Sequence, residues 1–262
     1  MSEQEIENSR VEVRSYFVRH RNALLVRAEF SPIYVDYYLH LMQHSLKPAA
    51  VDDAMLKDAL AALALHITSK PWHFTVAWTL HFENPLLNLF ATGESFGEYV
   101  VGRVFSEGVK EKGQGLFHSQ VMSPKDPARH STVEITGRDV FSAVEQYYQQ
   151  SEQLRARIFR YSEEDIVMIS AQPQCDLDWL ESLDERAIRE LDKEEELSLL
   201  ERRYFRFHCG CSVDKIFPAL APLIQRDGME AFFAGDAFLK TDCPRCGATF
   251  QITREDIEEF LG

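Results

Sequence analysis

Four of the chain's five cysteines fall into two tight pairs, Cys209-Gly210-Cys211 and Cys243-Pro244-Arg245-Cys246, with 31 residues between them (Ser212 to Asp242). No other feature limits the possible folds so strongly. Two chelating pairs at this separation satisfy the arithmetic of a tetrahedral zinc site, so the chain must bring both to one point. The second pair, in "CPRCG", is a strong signal: Pro244 fixes the turn, and Gly247 tolerates the left-handed conformation that lets backbone amides point at the sulfurs. The first pair is unusual, because an ordinary zinc ribbon would offer a second Cys-x-x-Cys. Two sulfurs that close can share a metal, with Gly210 relieving the bend, or pair with each other in a small, strained and therefore labile ring. The ligand set Cys209, Cys211, Cys243 and Cys246 thus admits two states. One is zinc-bound, reduced and folded. The other is zinc-free, oxidised and at least locally unfolded, because structural zinc contributes on the order of 10 kcal/mol to such modules.

The formal charge of −14 argues against nucleic acid as a partner, since phosphate binding needs a basic face. The same charge favours solubility and repels anionic membranes. "MSEQEIENSR" has no basic and apolar leader, and no apolar run approaches the roughly 18 residues that span a bilayer. A cytoplasmic location is expected, and in a reducing compartment paired cysteines point to metal or redox chemistry rather than to a permanent scaffold.

The first 170 residues read as an α+β core domain, a mixed sheet with helices that lacks regular βαβ alternation. A hairpin is expected over 11–30, followed by helices over 31–46 and 52–68. The second helix carries Leu56, Leu60, Leu63 and Ile67 on one face. In "WHFTVAWTLHF", Trp72, Phe74, Val76, Trp78, Leu80 and Phe82 alternate with polar or small residues, His73 and His81 among them, which is the period of a strand. Further strands are expected over 86–92, 98–105, 116–122, 131–135, 157–160 and 166–170, with a helix over 139–153. Residues 171–207 read as an acidic helical linker. From Asp176 to Arg203 they combine charge with an imperfect leucine stripe, the pattern of a solvated helical connector or of a marginally stable amphipathic helix. Residues 208–262 form a small zinc-binding domain. In it Ser212 could cap a helix that Pro218 and Pro222 kink or interrupt, and Thr253 with Asp256 resembles a capping box.

Three stretches, "FRFHCGCS", "DCPRCGATFQITREDIEEF" and "DVFSAVEQYYQQSEQLRARIF", resemble the heat shock protein 33 family of redox-regulated chaperones. The order of "DALAALALHITS" before the alternating strand fits as well, so the resemblance covers nearly the whole chain. It implies an ATP-independent holdase for unfolded client proteins. By that resemblance, the reduced protein binds one zinc through all four cysteines and is inactive. Oxidation then forms Cys209–Cys211 and Cys243–Cys246 disulfides, ejects zinc, destabilises the linker and yields an active homodimer. "FENPLLNL" stands where the family has an acidic residue followed by Gly-Pro.

Outside the pairs, Cys175 reads as a free structural thiol, with an additional oxidation-sensitive site as the alternative, and His208 as an exposed neighbour of Cys209. No nucleophile–base arrangement, phosphate loop or dinucleotide fingerprint is legible, so an enzyme is not expected. The competing function is a non-switching protein-interaction protein with a purely structural zinc module. A zinc-ribbon nucleic-acid binder ranks third because its charge is wrong.

Overall fold

The computed structural model describes residues 10–261. The acidic start of the chain, considered above for targeting signals, lies outside them but for Arg10. A hairpin of β1 (Val11–Val18) and β2 (Ala23–Glu29) leads into α1 (Ser31–Gln43) and α2 (Ala50–Thr68). Five strands follow: β3 (Thr75–Glu83), β4 (Leu86–Glu94), β5 (Tyr99–Phe105), β6 (Gly115–Met122) and β7 (Arg129–Ile135). Helix α3 (Val140–Tyr147) runs into a π-helical turn over Tyr148–Glu152, and β8 (Ala156–Arg160) and β9 (Asp165–Ala171) come next. The acidic segment holds α4 (Leu177–Ser182), α5 (Glu185–Glu194) and β10 (Leu197–Phe207). The chain finishes with α6 (Val213–Asp227), α7 (Met229–Phe233), β11 (Phe238–Asp242), β12 (Thr249–Thr253) and α8 (Arg254–Leu261).

Ten strands form one sheet in the order β7-β6-β3-β4-β5-β10-β1-β2-β9-β8. It consists of two antiparallel ladders joined by a short parallel pairing, Arg206 with Tyr99 and Phe207 with Val100. This α+β architecture matches the sequence reading, but β10 corrects it. Helix is expected through Arg203, yet Leu197–Phe207 is a strand that pairs with β1 from Leu197 to Phe205, across one register shift, and with β5 at Arg206 and Phe207. Local charge and leucine content favour helix, whereas the partner strand lies at the other end of the chain, where no local pattern reveals it.

Helix α2 is the centre of the body. Residues Ala59 to Ile67 are all fully buried, on every face rather than on the single stripe expected. Its alanines let neighbouring elements approach closely, and both ladders, together with α3, pack around it. Along β3, Val76, Trp78, Leu80 and Phe82 face this core as the alternation requires. The strand begins later than expected, because His73 takes φ +68° in a turn that leaves Trp72 outside the ladder. His81, on the non-apolar face of the alternation, is also buried: Nδ1 pairs with Asn88 Oδ1 at 2.8 Å and Nε2 with Glu83 Oε1 at 2.9 Å.

Two polar groups are buried at the C-terminal end of α2. His66 Nδ1 contacts the Tyr148 hydroxyl at 2.8 Å, and burial pushes the imidazole down to about 3, so the ring is neutral. Arg203 on β10 is only 2% exposed. Its Nη1 donates to Ile67 O at 2.9 Å and Ser95 Oγ at 2.8 Å, and its Nη2 to Lys70 O at 2.7 Å and Glu201 Oε1 at 2.6 Å. The guanidinium also lies 4.5 Å from the Trp72 ring centroid. A cation on the terminal carbonyls satisfies orphan acceptors and complements the helix dipole.

Among the later elements, α6 runs through Pro218 and Pro222 without the interruption expected. Both prolines face solvent, where water can satisfy the carbonyls that they free. Phe217 and Ile224 bury their side chains in a small separate core with Phe233, Ile252 and Ile257. The capping box forms as expected: Thr253 N–H donates to Asp256 Oδ2 at 2.8 Å, and Asp256 N–H to Thr253 Oγ1 at 3.2 Å.

Removing Arg203 takes the side-chain donor from Lys70 O and Ser95 Oγ, while Ile67 O keeps the Lys70 N–H at 3.1 Å, so Arg203→Met is expected to lower urea stability by about 3 kcal/mol. A loss below about 1 kcal/mol would show that the cap contributes little. Because His66 is held neutral, the unfolded chain binds the extra proton between its ordinary pKa and about 3, so stability falls as pH drops through that window. Relative to the parent, His66→Gln is expected to gain stability by about 1.4 kcal/mol for each pH unit below 6. A pH-independent difference in equilibrium unfolding would contradict this.

Candidate metal centre

The first cysteine pair leaves the end of β10. His208 N–H donates to Val100 O at 3.1 Å and so extends the parallel pairing, and Gly210 then takes φ +61°, which sharpens the bend between Cys209 and Cys211. The second pair occupies the turn between β11 and β12. Cys243 N–H donates to Ala248 O at 2.8 Å, Gly247 N–H donates to Cys243 O at 2.9 Å, and Gly247 has φ +79°. The Ala248 N–H is directed at the Cys246 sulfur, as expected of such a turn.

The four sulfurs lie within 4.8 Å of one another. Two contacts cross between the pairs, Cys209 Sγ to Cys243 Sγ at 3.6 Å and Cys211 Sγ to Cys246 Sγ at 3.6 Å. Sulfurs arranged tetrahedrally around zinc at about 2.3 Å stand about 3.8 Å apart, so this cluster could hold that ion. Cys243 and Cys246 are buried, while Cys209 and Cys211 are half-buried. Electrostatics point the same way. A hydrogen bond from the Cys246 thiol holds Cys209 down to about 5, whereas burial pushes Cys211 up to about 12. Cys246 is held above the ordinary thiol range because its proton serves Cys209. Cys211 and Cys246 thus resist ionisation beside Cys209, and a bound cation would favour their thiolates.

Two side chains that the sequence did not reveal hold the second pair. His40 Nε2 lies 3.1 Å from Cys246 O, and Arg103 Nη1 donates to Cys243 O at 3.0 Å. Both bind backbone carbonyls, which leave no trace in residue type. His208 is exposed and stands outside the four-sulfur cluster. Cys175 also lies outside it, packed against the apolar layer beneath α4 and α5. Burial pushes its thiol up, the reverse of what an oxidant-reactive cysteine needs.

The fold and the site define an α+β protein with a cluster of four cysteines that could hold a metal ion, where the end of β10 meets the β11–β12 turn. The family model described as Hsp33 protein matches residues 40–253, and the chain belongs to that family. It is similar to the 33 kDa chaperonin of Edwardsiella ictaluri, at 25% identity over 254 residues, 84% of this chain and 86% of that protein. A shorter match, to the 33 kDa chaperonin of Nitrosococcus oceani, has 26% identity over 150 residues, 49% of this chain and about half (52%) of that protein. The crystal structure of the 33 kDa chaperonin (heat shock protein 33 homolog) of Thermotoga maritima has the same fold, with a TM-score of 0.72 over 97% of this chain and 98% of that one, at 14% identity.

Purified under reducing conditions, the protein is expected to bind one zinc per chain, with Cys246→Ser losing at least 100-fold in affinity against a chromophoric chelator. Protons compete for thiolates, so affinity should fall as pH drops. Equal affinity for the serine variant would remove Cys246 from the ligand set.

Proposed function

We propose that the protein is a redox-regulated, ATP-independent holdase, with Cys209, Cys211, Cys243 and Cys246 serving both as zinc ligands and as the switch. One observation carries the reading: four sulfurs converge within 4.8 Å at the end of the strand that closes the acidic segment. The proposed working parts are a chaperone core over 1–170, a linker over 171–207 and a zinc-binding switch over 208–262. The setting is the reducing cytoplasm, and the task is binding rather than catalysis.

A bound zinc ion would keep all four sulfurs as thiolates and hold both ends of the module together. On oxidation, Cys209 with Cys211 and Cys243 with Cys246 each form a disulfide. Each pair gives two electrons to one peroxide molecule, which takes up two protons and leaves as two waters. No thiolates then remain to hold the ion, and the C-terminal module loses its main cross-link.

The linker is the part built to respond. Helices α4 and α5 are six and ten residues long, too short to persist without packing. They rest on the sheet through Leu180, Leu183, Ile188 and Leu191, which cover Val18, Leu25, Phe159, Val167 and Ile169. Outward-facing charge on α5 adds little stability, because exposed ion pairs such as Glu185–Arg189 are weak. Peeling the linker away would uncover a contiguous apolar sheet face, the kind of surface that unfolded clients bind. The active form is read as a homodimer.

Peroxide with mild heat, or hypochlorite, should release one zinc per chain and at the same time confer suppression of light scattering by a thermally unfolding client enzyme. Dithiothreitol with zinc should reverse both. Zinc release without gain of suppression would leave only the non-switching interaction protein.

A further inference from the structure

The C-terminal module is divided in its packing. Its helical part has its own small core, with Phe217, Ile224, Phe233, Ile252 and Ile257. The turn that carries the second cysteine pair belongs instead to the main core: Cys243 and Cys246 are each 3% exposed and Ala248 is fully buried, all in the cluster that includes α2. What holds the turn there is specific. Arg103 on β5 donates Nη1 to Cys243 O at 3.0 Å, with Nη2 3.9 Å from Asp242 Oδ2. His40 on α1 meets Cys246 O at 3.1 Å, and since a carbonyl only accepts, Nε2 carries the ring proton. The His40 ring lies 5.3 Å from that of Phe207, the last residue of β10, which ties the same side chain to the strand leading to the first pair. Gly247 is seated between Leu46 and Arg103, which a Cβ there would approach to 3.4 and 3.6 Å.

We propose that Arg103 and His40 form a latch that couples the sulfur cluster to the core. They are positioning residues that grip the Cys243–Cys246 turn by the carbonyl oxygens of the two cysteines themselves. The state of the sulfurs is then transmitted to β5 and α1 directly, in addition to any effect along β10. This rests on the zinc-and-disulfide reading above. A Cys243–Cys246 disulfide needs sulfurs about 2.05 Å apart and Cβ atoms near 3.8 Å, so the turn must tighten and both carbonyls change aim. Arg103 then loses its acceptor while still facing the core, and α1 loses the contact that pins its C-terminal turn. The Arg103 bond comes from a charged donor and holds such a dock by a factor of about ten or more, the neutral His40 bond by somewhat less, enough for their loss to be visible in local opening.

The test is hydrogen exchange of α1 and β5 peptides in the full-length protein, zinc-loaded and reduced, compared with the oxidised protein. Arg103→Met keeps the aliphatic stem without the donor, His40→Phe keeps the ring against Phe207 without the donor, and Arg103→Lys keeps the charge. In the reduced state, Arg103→Met and His40→Phe should raise exchange in α1 and β5 about tenfold while zinc stays at one per chain and far-UV circular dichroism is unchanged, with Arg103→Lys in between. Oxidation should raise the same peptides in the parent but add less than twofold in the double variant. Parent-like exchange in the reduced variants, or an oxidation response in the double variant as large as the parent's, would overturn the latch. If oxidant fails to release zinc from the parent, the switch reading fails, and the reduced-state comparison still decides the latch.

Discussion

Arg203 sits at the C-terminal end of the buried helix α2 and gives both terminal nitrogens to acceptors there, two of them the carbonyls of Ile67 and Lys70. Those bonds tie β10, which pairs with β1, to the end of the buried helix. Much follows from that one strand. It joins the two antiparallel ladders, it ends the acidic segment that covers the apolar face of β2 and β9, and it delivers Cys209 and Cys211 two and four residues after Phe207. The segment that reads as a solvated connector is in its last third a structural seam of the sheet.

The sulfur cluster adds the second constraint. Crowding of the sulfurs holds Cys209 down while Cys211 and Cys246 are pushed up, a conflict that a divalent cation would relieve. On the proposed reading, the fold around the cluster would depend on the chemical state of the sulfurs. Short helices α4 and α5 cover a separate apolar layer through Leu180, Leu183, Ile188 and Leu191, and helices of that length have little stability of their own. In the proposed switch, strand β10 would stay and the cover made by α4 and α5 would leave.

Several of these features were legible in the sequence because their cause is local. The alternation of Val76, Trp78, Leu80 and Phe82, the spacing of the two cysteine pairs, the positive φ at Gly247 and the Thr253–Asp256 capping box all express short-range rules. What escaped depends on distant partners. Strand β10 pairs with residues from the start of the chain, and the burial of His81 depends on Asn88 across the hairpin. The continuity of α6 through Pro218 and Pro222 depends on the small core that Phe217 and Ile224 enter. His40 and Arg103 act on main-chain oxygens of the cysteine turn, and a backbone acceptor has no residue identity for a motif to record.

The proposed switch depends on the nature of the site that β10 and the β11–β12 turn bring together. X-ray absorption at the zinc edge of the reduced, zinc-loaded protein reads the ligand shell directly. Four sulfur scatterers at about 2.3 Å, and no nitrogen or oxygen in the first shell, are expected. A mixed shell containing imidazole nitrogen, or fewer than four sulfurs, would contradict the assignment of both cysteine pairs to one metal and, with it, the switch built on them.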